Sequence, residues 1–276
     1  MLCRPKLITF TCSSPFIRST RAPSGLPCST IVRLFVMCER KLSFVVNRPT
    51  ALAPEYPFPK QLRQTIAAVQ HLLDLGVSPS NIIIGGDSAG GNLVLQLASQ
   101  LLHPHLSLPT LHLPSHASTE TDVTSSDSGE FPESFGGMLL ISPWLEYNAD
   151  APSFTRNRAR DVAPLKSWQV FADIVRQVIV PKLHNHLEPG IAPRGWWKGL
   201  GRVFPHVLIT AGEHEGIVDP IQKTGAVISK EVKDTTVFVL PGGIHEDFID
   251  AFAVGEGERG DDYKLVVSWL SANLKL

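Results

Sequence analysis

The stretch Asn81-Ile-Ile-Ile-Gly-Gly-Asp-Ser-Ala-Gly-Gly-Asn92 runs from three consecutive isoleucines into a glycine-flanked serine and then into an amphipathic segment. Read as strand, turn and helix, it presents Ser88 at the tip of a sharp turn, inside Gly86-x-Ser88-x-Gly90. That is the context a nucleophile elbow requires. Side chains at Gly86 and Gly90 would collide with the adjoining strand and helix backbone, which gives the glycines a steric reason. The helix that follows would aim its positive end at a developing oxyanion, with the Ala89 amide as a donor. A tight glycine-rich turn without chemistry is the plainer reading, and the strand before and helix after weigh against it. A phosphate-binding loop is disfavoured because the lysine and hydroxyl pair of that motif is missing.

Outward from this stretch, short β-branched runs alternate with amphipathic segments, the pattern of βαβ units in a mostly parallel sheet. Leu42–Val46, Ile82–Gly85, Gly137–Ser142, His206–Thr210 and Thr236–Leu240 read as strands, with the fully apolar second run central. Lys60–Leu75, Asn92–Leu102 and Asp262–Leu274 carry apolar residues at helical spacing and read as flanking helices. Two stretches break the rhythm. Residues 103–135 are rich in Pro, Ser, Thr and His and read as a flexible loop insertion. Residues 144–201 are too long for a simple connection and read as a helical cap, with ordinary crossover helices as the competing reading.

A serine hydroxyl needs a base, and the base an orienting carboxylate. The fourth strand leads into Thr210-Ala-Gly-Glu-His-Glu-Gly-Ile-Val-Asp219, which supplies Glu213, Glu215 and Asp219. The last strand leads into Pro241-Gly-Gly-Ile-His-Glu-Asp-Phe248, which supplies His245. Either loop alone could be solvated polar surface. Their order after Ser88, acid then histidine, favours a catalytic set.

The 276 residues suffice for one large domain, and 43% hydrophobic content can fill its core. A net charge of −1 offers no basic surplus for nucleic acid and suits a small, roughly neutral substrate. Cys3, Cys12, Cys28 and Cys38 lack C-x-x-C pairing and do not read as a disulfide framework or a metal site. His103, His105, His112 and His116 lack regularly offset Asp, Glu or Cys, so no metal is expected. No transmembrane run is expected. Met1 to Cys38 contains no acidic residue and carries Arg4, Lys6, Arg18, Arg21 and Arg33. This segment reads as an irregular extension of a cytoplasmic protein, with mitochondrial targeting as the alternative.

Gly85-Gly-Asp-Ser-Ala-Gly-Gly91, Leu52-Ala-Pro-Glu-Tyr-Pro-Phe-Pro59 and Gly243-Ile-His-Glu-Asp-Phe248 resemble motifs of the hormone-sensitive-lipase-like group of α/β-hydrolases, and within it the fungal esterases and lipases. The resemblance covers the chain from about residue 42 to the end. It implies the α/β-hydrolase fold, with the helices of 144–201 capping a catalytic domain at 42–276. It also implies ester cleavage by Ser88, His245 and an acid, with no cofactor. That group's acid stands first in Asp-x-x-x-Asp, a spacing matched by Glu215-Gly-Ile-Val-Asp219. Glu215 is therefore the expected acid, with Glu213 and Asp219 as alternatives and Asp219 a support for the loop. Glu55 is expected to pair structurally and Asp87 to orient its neighbours. Trp144 and Trp168 are expected to wall the substrate pocket. One departure stands out: the group's upstream His-Gly-Gly-Gly, half of its oxyanion hole, is absent, and residues 1–41 hold only Gly25. The first strands of the fold are expected to be incomplete or atypical there. A catalytically impaired binding protein, or an acyltransferase using the same residues, are the competing readings.

Overall fold

The computed structural model describes residues 34–38, 42–45, 57–114, 133–176, 181–253 and 260–274. Its centre is a six-stranded sheet in the order β2-β1-β3-β4-β5-β6. The strands are β1 (Leu34–Cys38), β2 (Leu42–Val45), β3 (Ile82–Asp87), β4 (Gly137–Ile141), β5 (His206–Gly212) and β6 (Asp234–Leu240). β3 through β6 pair in parallel, whereas β1 runs antiparallel to both β2 and β3. Only β1 therefore opposes the common direction, and the sheet is mostly parallel as expected.

Strand alternation divides the core into two layers. Ile82, Ile84, Met138, Leu140, Val207 and Ile209 face one cluster, which takes in Leu62, Ile66, Val94, Leu97, Ile221 and Ile228 from helices α1 (Lys60–Asp74), α2 (Ala89–Leu102) and α7 (Val218–Glu231). The alternate residues Ile83, Leu139, Ile141 and Leu208 meet Val266 and Trp269 of α9 (Asp261–Asn273) on the other face. Burial on both faces is why β3 and β4 read as unbroken apolar runs.

Several expectations need correction. β1 lies inside the segment 1–41, where the first strands are expected to be incomplete or atypical and no strand is placed by the sequence pattern. Its run Leu34-Phe-Val-Met-Cys38 follows Arg33 with no turn signal to set it off. Helix α7 was also missed, because Pro220 and Gly225 interrupt its pattern. Pro220 falls in the first turn, where its missing N–H costs no intrahelical bond. Gly225 lies where a Cβ would sit 2.8 Å from Val237 on β6. The flexible insertion expected at 103–135 does not hold for 103–114. Leu108 and Leu111 are buried in the core, and the His103 ring stacks on Trp196 with centroids 3.8 Å apart. The remainder of that insertion to residue 132, with His116, lies outside the described residues, as do Glu55, Cys3, Cys12 and Cys28. The stretch from residue 144 to the start of β5, expected to cap the sheet or to supply crossover helices, holds α3 (Pro152–Arg156), α4 (Leu165–Arg176), α5 (His184–Leu187) and α6 (Leu200–Val203). Helix α8 (Asp247–Ala253) follows the last strand's loop.

Two glycines fix how the strand ends meet. A Cβ on Gly86 would lie 2.4 Å from the Gly90 carbonyl carbon, so only glycine lets α2 double back on β3. A Cβ on Gly212 would lie 2.5 Å from the Gly243 carbonyl carbon, so this contact brings the loops after β5 and β6 together. The backbone bonds Glu213 N to Leu240 O (3.0 Å) and His214 N to Gly243 O (2.8 Å) run across the same seam. Gly212→Ala should therefore destabilise the fold by about 1–3 kcal/mol through overpacking. Urea unfolding should show a lower midpoint with an unchanged slope; a midpoint equal to wild type would contradict the contact.

Candidate functional site

At the C-terminal edge of the sheet Ser88 takes φ 49°, a left-handed conformation unusual for a residue with a side chain. Three backbone bonds hold it there: Ser88 N donates to Ile141 O (2.9 Å), and Ser88 O accepts from Asn92 N (3.1 Å) and Trp144 N (3.0 Å). The hydroxyl is thereby lifted off the end of β3. Ala89 is the first residue of α2, so its amide has no intrahelical acceptor.

His245 Nε2 lies 3.0 Å from Ser88 Oγ, and His245 Nδ1 lies 3.0 Å from Glu215 Oε2. A carboxylate only accepts, so Nδ1 carries the proton and Nε2 is left to accept from the serine hydroxyl. Glu215 has no solvent exposure. Its other oxygen, Oε1, accepts from Ser142 Oγ (2.6 Å) and Gly212 N. Burial, the largest single influence, disfavours the charged form of His245, but the hydrogen bond to Glu215 together with the charges of Glu215, Glu246 and Asp161 outweighs it. The imidazole is pushed up to about 9 from its ordinary 6.5.

The other expected residues are placed as follows. Glu213 Oε2 accepts from Gly242 N (2.8 Å), away from the imidazole. Asp219 pairs with Arg156 (2.6 Å) and accepts from Ser153 N (2.9 Å). Asp87 is buried at the end of β3. Trp168 on α4 stands edge-on to the His245 ring, with centroids 5.0 Å apart, and Trp144 lies 5.5 Å from Trp168. Both tryptophans are buried over the site. A surface cavity of about 340 Å³ opens beside them between Tyr147 and Arg176, but neither Ser88 nor His245 lines it. The hydrogen-bonded set, and not the cavity, marks the candidate site. Among the described residues no group of three or more His, Cys, Asp or Glu is placed to hold a metal ion.

Sequence reasoning missed the groups that hold the acid loop. Ser153 Oγ donates to Gly216 O (2.5 Å). Asn157 Nδ2 donates to both Glu213 O (2.9 Å) and Glu215 O (2.8 Å). Asp161 accepts from Gly216 N (2.8 Å) and His245 N (3.2 Å). The three recur at four-residue spacing, one helical turn apart, and that spacing is the signal that could have found them. Asn92, one turn into α2, similarly donates to Trp144 O (2.7 Å) and Leu187 O (3.2 Å), tying the elbow helix to the cap.

A family model described as the alpha/beta hydrolase fold matches residues 37–249, well over half of the chain. The chain belongs to the α/β-hydrolase fold family. Within that family the esterase and lipase relatives agree with the hormone-sensitive-lipase-like motifs read in the sequence. Bovine arylacetamide deacetylase is 32% identical over 188 residues, covering 62% of this chain and 46% of its own. A carboxylesterase of Mycobacterium tuberculosis is 30% identical over 192 residues, covering 67% and 49%. The crystal structure of an esterase/lipase from an uncultured bacterium superposes with a TM-score of 0.60 at 26% identity, covering 82% of this chain and 64% of the other. This α/β-hydrolase chain spans about half the length of the curated relatives it matches. No helix among its described residues is long and apolar enough to cross a membrane.

Asn157→Ala removes two donors from the acid loop at a site with 2% exposure. The loss should be about 1–3 kcal/mol, read as a lower midpoint in chemical unfolding. An unchanged midpoint would show that the loop holds itself.

Proposed function

We propose that the protein hydrolyses carboxylic esters of small or lipophilic alcohols and acids, with Ser88 as nucleophile, His245 as base and Glu215 as its orienting acid. The observation that carries this reading is the unbroken relay from Ser88 Oγ through both nitrogens of His245 to Glu215, at 3.0 Å in each step. As Ser88 Oγ bonds to the ester carbonyl carbon, its proton passes to His245 Nε2, and the tetrahedral oxyanion is met by the Ala89 amide. Collapse breaks the bond to the alcohol, which leaves with the proton from Nε2. Water then attacks the acyl-enzyme by the same route reversed, releasing the acid and restoring Ser88. Glu215 stabilises the imidazolium throughout and keeps the proton of Nδ1 directed away from the serine.

Trp144 and Trp168 are read as the apolar walls against which the acyl or alcohol group lies. The names of the relatives, a deacetylase and a carboxylesterase, support an acyl ester or acyl amide as substrate. A role in lipid or secondary metabolism fits the same chemistry, and an acyltransferase would differ only in the acceptor of the acyl group. A catalytically impaired binding protein is the second reading, favoured by the missing His-Gly-Gly-Gly. Residues 1–41 hold no glycine pair to supply its amides, and each lost donor costs roughly a hundredfold to a thousandfold in turnover.

Turnover of p-nitrophenyl acetate and longer esters decides between them. Ser88→Ala, His245→Ala and Glu215→Ala should each lower kcat by at least about a thousandfold. His245 must be neutral to accept a proton, and its pKa is raised. The kcat/KM of wild type, after subtraction of buffer hydrolysis, should therefore rise about tenfold per pH unit from pH 6 and level off near about 9. A profile already level below pH 6.5 would contradict the raised imidazole, and turnover unchanged in Ser88→Ala would overturn the mechanism. A folded wild type without turnover would favour the binding protein.

A further inference from the structure

Ser142 is the residue after β4, between the strands that carry the nucleophile and the acid, and its side chain is not part of the relay. It is 3% exposed and holds φ 44°, a conformation that glycine would adopt without strain. Its amide is fixed by donation to Thr210 O (2.8 Å) on β5. Its hydroxyl makes two contacts in opposite senses: it donates to Glu215 Oε1 (2.6 Å) and accepts from Glu246 N (3.2 Å). One hydroxyl thus joins the acid to the residue immediately after the base.

Both contacts bear on how His245 is held. The terminal torsion of a glutamate is broad and two-fold, so a carboxylate held at one oxygen by a single donor can swing out of line. Two donors on Oε1, Gly212 N and Ser142 Oγ, leave Oε2 facing Nδ1 of His245. On the other side, Glu246 itself sits at φ 58°, so the chain turns sharply just beyond the base. The Glu246 amide bonded to Ser142 pins that turn to the end of β4. Removing the hydroxyl leaves the carboxylate and the turn each short of one partner.

We propose that Ser142 is a positioning residue whose hydroxyl sets the Glu215 carboxylate and the turn after His245 in mutual register, acting on the reaction only through that pair. This rests on the triad reading given above.

The test compares Ser142→Gly in the wild-type and Glu215→Ala backgrounds of the full chain, with p-nitrophenyl acetate as substrate. Glycine accepts φ 44° without strain, so the variant should fold, with a thermal midpoint lowered by no more than the loss of one buried hydroxyl. Its kcat should fall about tenfold to a hundredfold, the range expected when a buried charged acceptor loses a donor, with KM within about twofold. Ser142→Ala, which keeps the Cβ, should lose the same amount. In Glu215→Ala the further change to glycine should cost much less than in wild type, since the carboxylate is gone and only the Glu246 contact remains to be lost. Wild-type kcat in Ser142→Gly, or losses that multiply in the double variant, would overturn the proposal, the second by revealing a general structural role. A readout independent of turnover is the low-field proton resonance of His245 Nδ1–H, which Ser142→Gly should shift or broaden. If wild type hydrolyses no ester while that resonance still moves, the hydrolase reading fails and the positioning stands; a resonance unmoved by Ser142→Gly overturns the positioning.

Discussion

A carboxylate with no solvent exposure, Glu215, is the group around which the C-terminal edge of the sheet is arranged. A buried charge is tolerated only if its oxygens are hydrogen-bonded and a positive or polarisable partner lies close by. Here the partners come from three different strand ends: Ser142 after β4, Gly212 at the end of β5 and His245 after β6. Satisfying one carboxylate therefore requires the loops after β4, β5 and β6 to converge. The same convergence sets the imidazole against Ser88 after β3. The stability of the edge and the geometry of the site are one requirement, and the Gly212–Gly243 contact is what makes the loops close enough to meet it.

The same carboxylate explains why the base is raised. Burial alone would drive His245 toward its neutral form. The hydrogen bond and charge of Glu215, with the charges of Glu246 and Asp161, reverse that, so in the proposed mechanism the imidazolium formed during attack on a carbonyl has a partner already in place. The cap contributes from above: Asn157 and Asp161 hold the backbone of the acid loop, and Trp168 closes over the imidazole. What looks in sequence like a substrate-facing insertion is in part a brace for the acid.

Local signals were legible in the sequence. Ser88 sits between an apolar strand and an amphipathic helix, and its flanking glycines have a steric cause that the structure supplies at Gly86. β3, β4 and β5 could be counted because strands buried on both faces are largely apolar runs, and the partly buried edge strand β6 by its Thr and Val enrichment. The choice among Glu213, Glu215 and Asp219 rested on the spacing of a resembled motif, since three carboxylates within seven residues look alike until their partners are known. Ser142, Asn157 and Asp161 were invisible for a related reason. Their partners lie 55 to 104 residues away in the chain, and although the four-residue spacing of Asn157 and Asp161 marks a shared face, it does not say which loop that face meets. β1 was hidden by its basic surroundings, and α7 by a proline and a glycine whose places are set by helix geometry and by packing on β6.

The proposed chemistry requires that the Ser88 hydroxyl be activated by His245 beside it. The most direct measurement is intact-mass and peptide mass spectrometry after exposure of the purified protein to a fluorophosphonate, which traps an activated serine and spares an ordinary one. One adduct per chain is expected, on the peptide containing Ser88, and none in a protein whose His245 has been replaced. A folded protein that takes up no label, or takes it up at another serine, would contradict it.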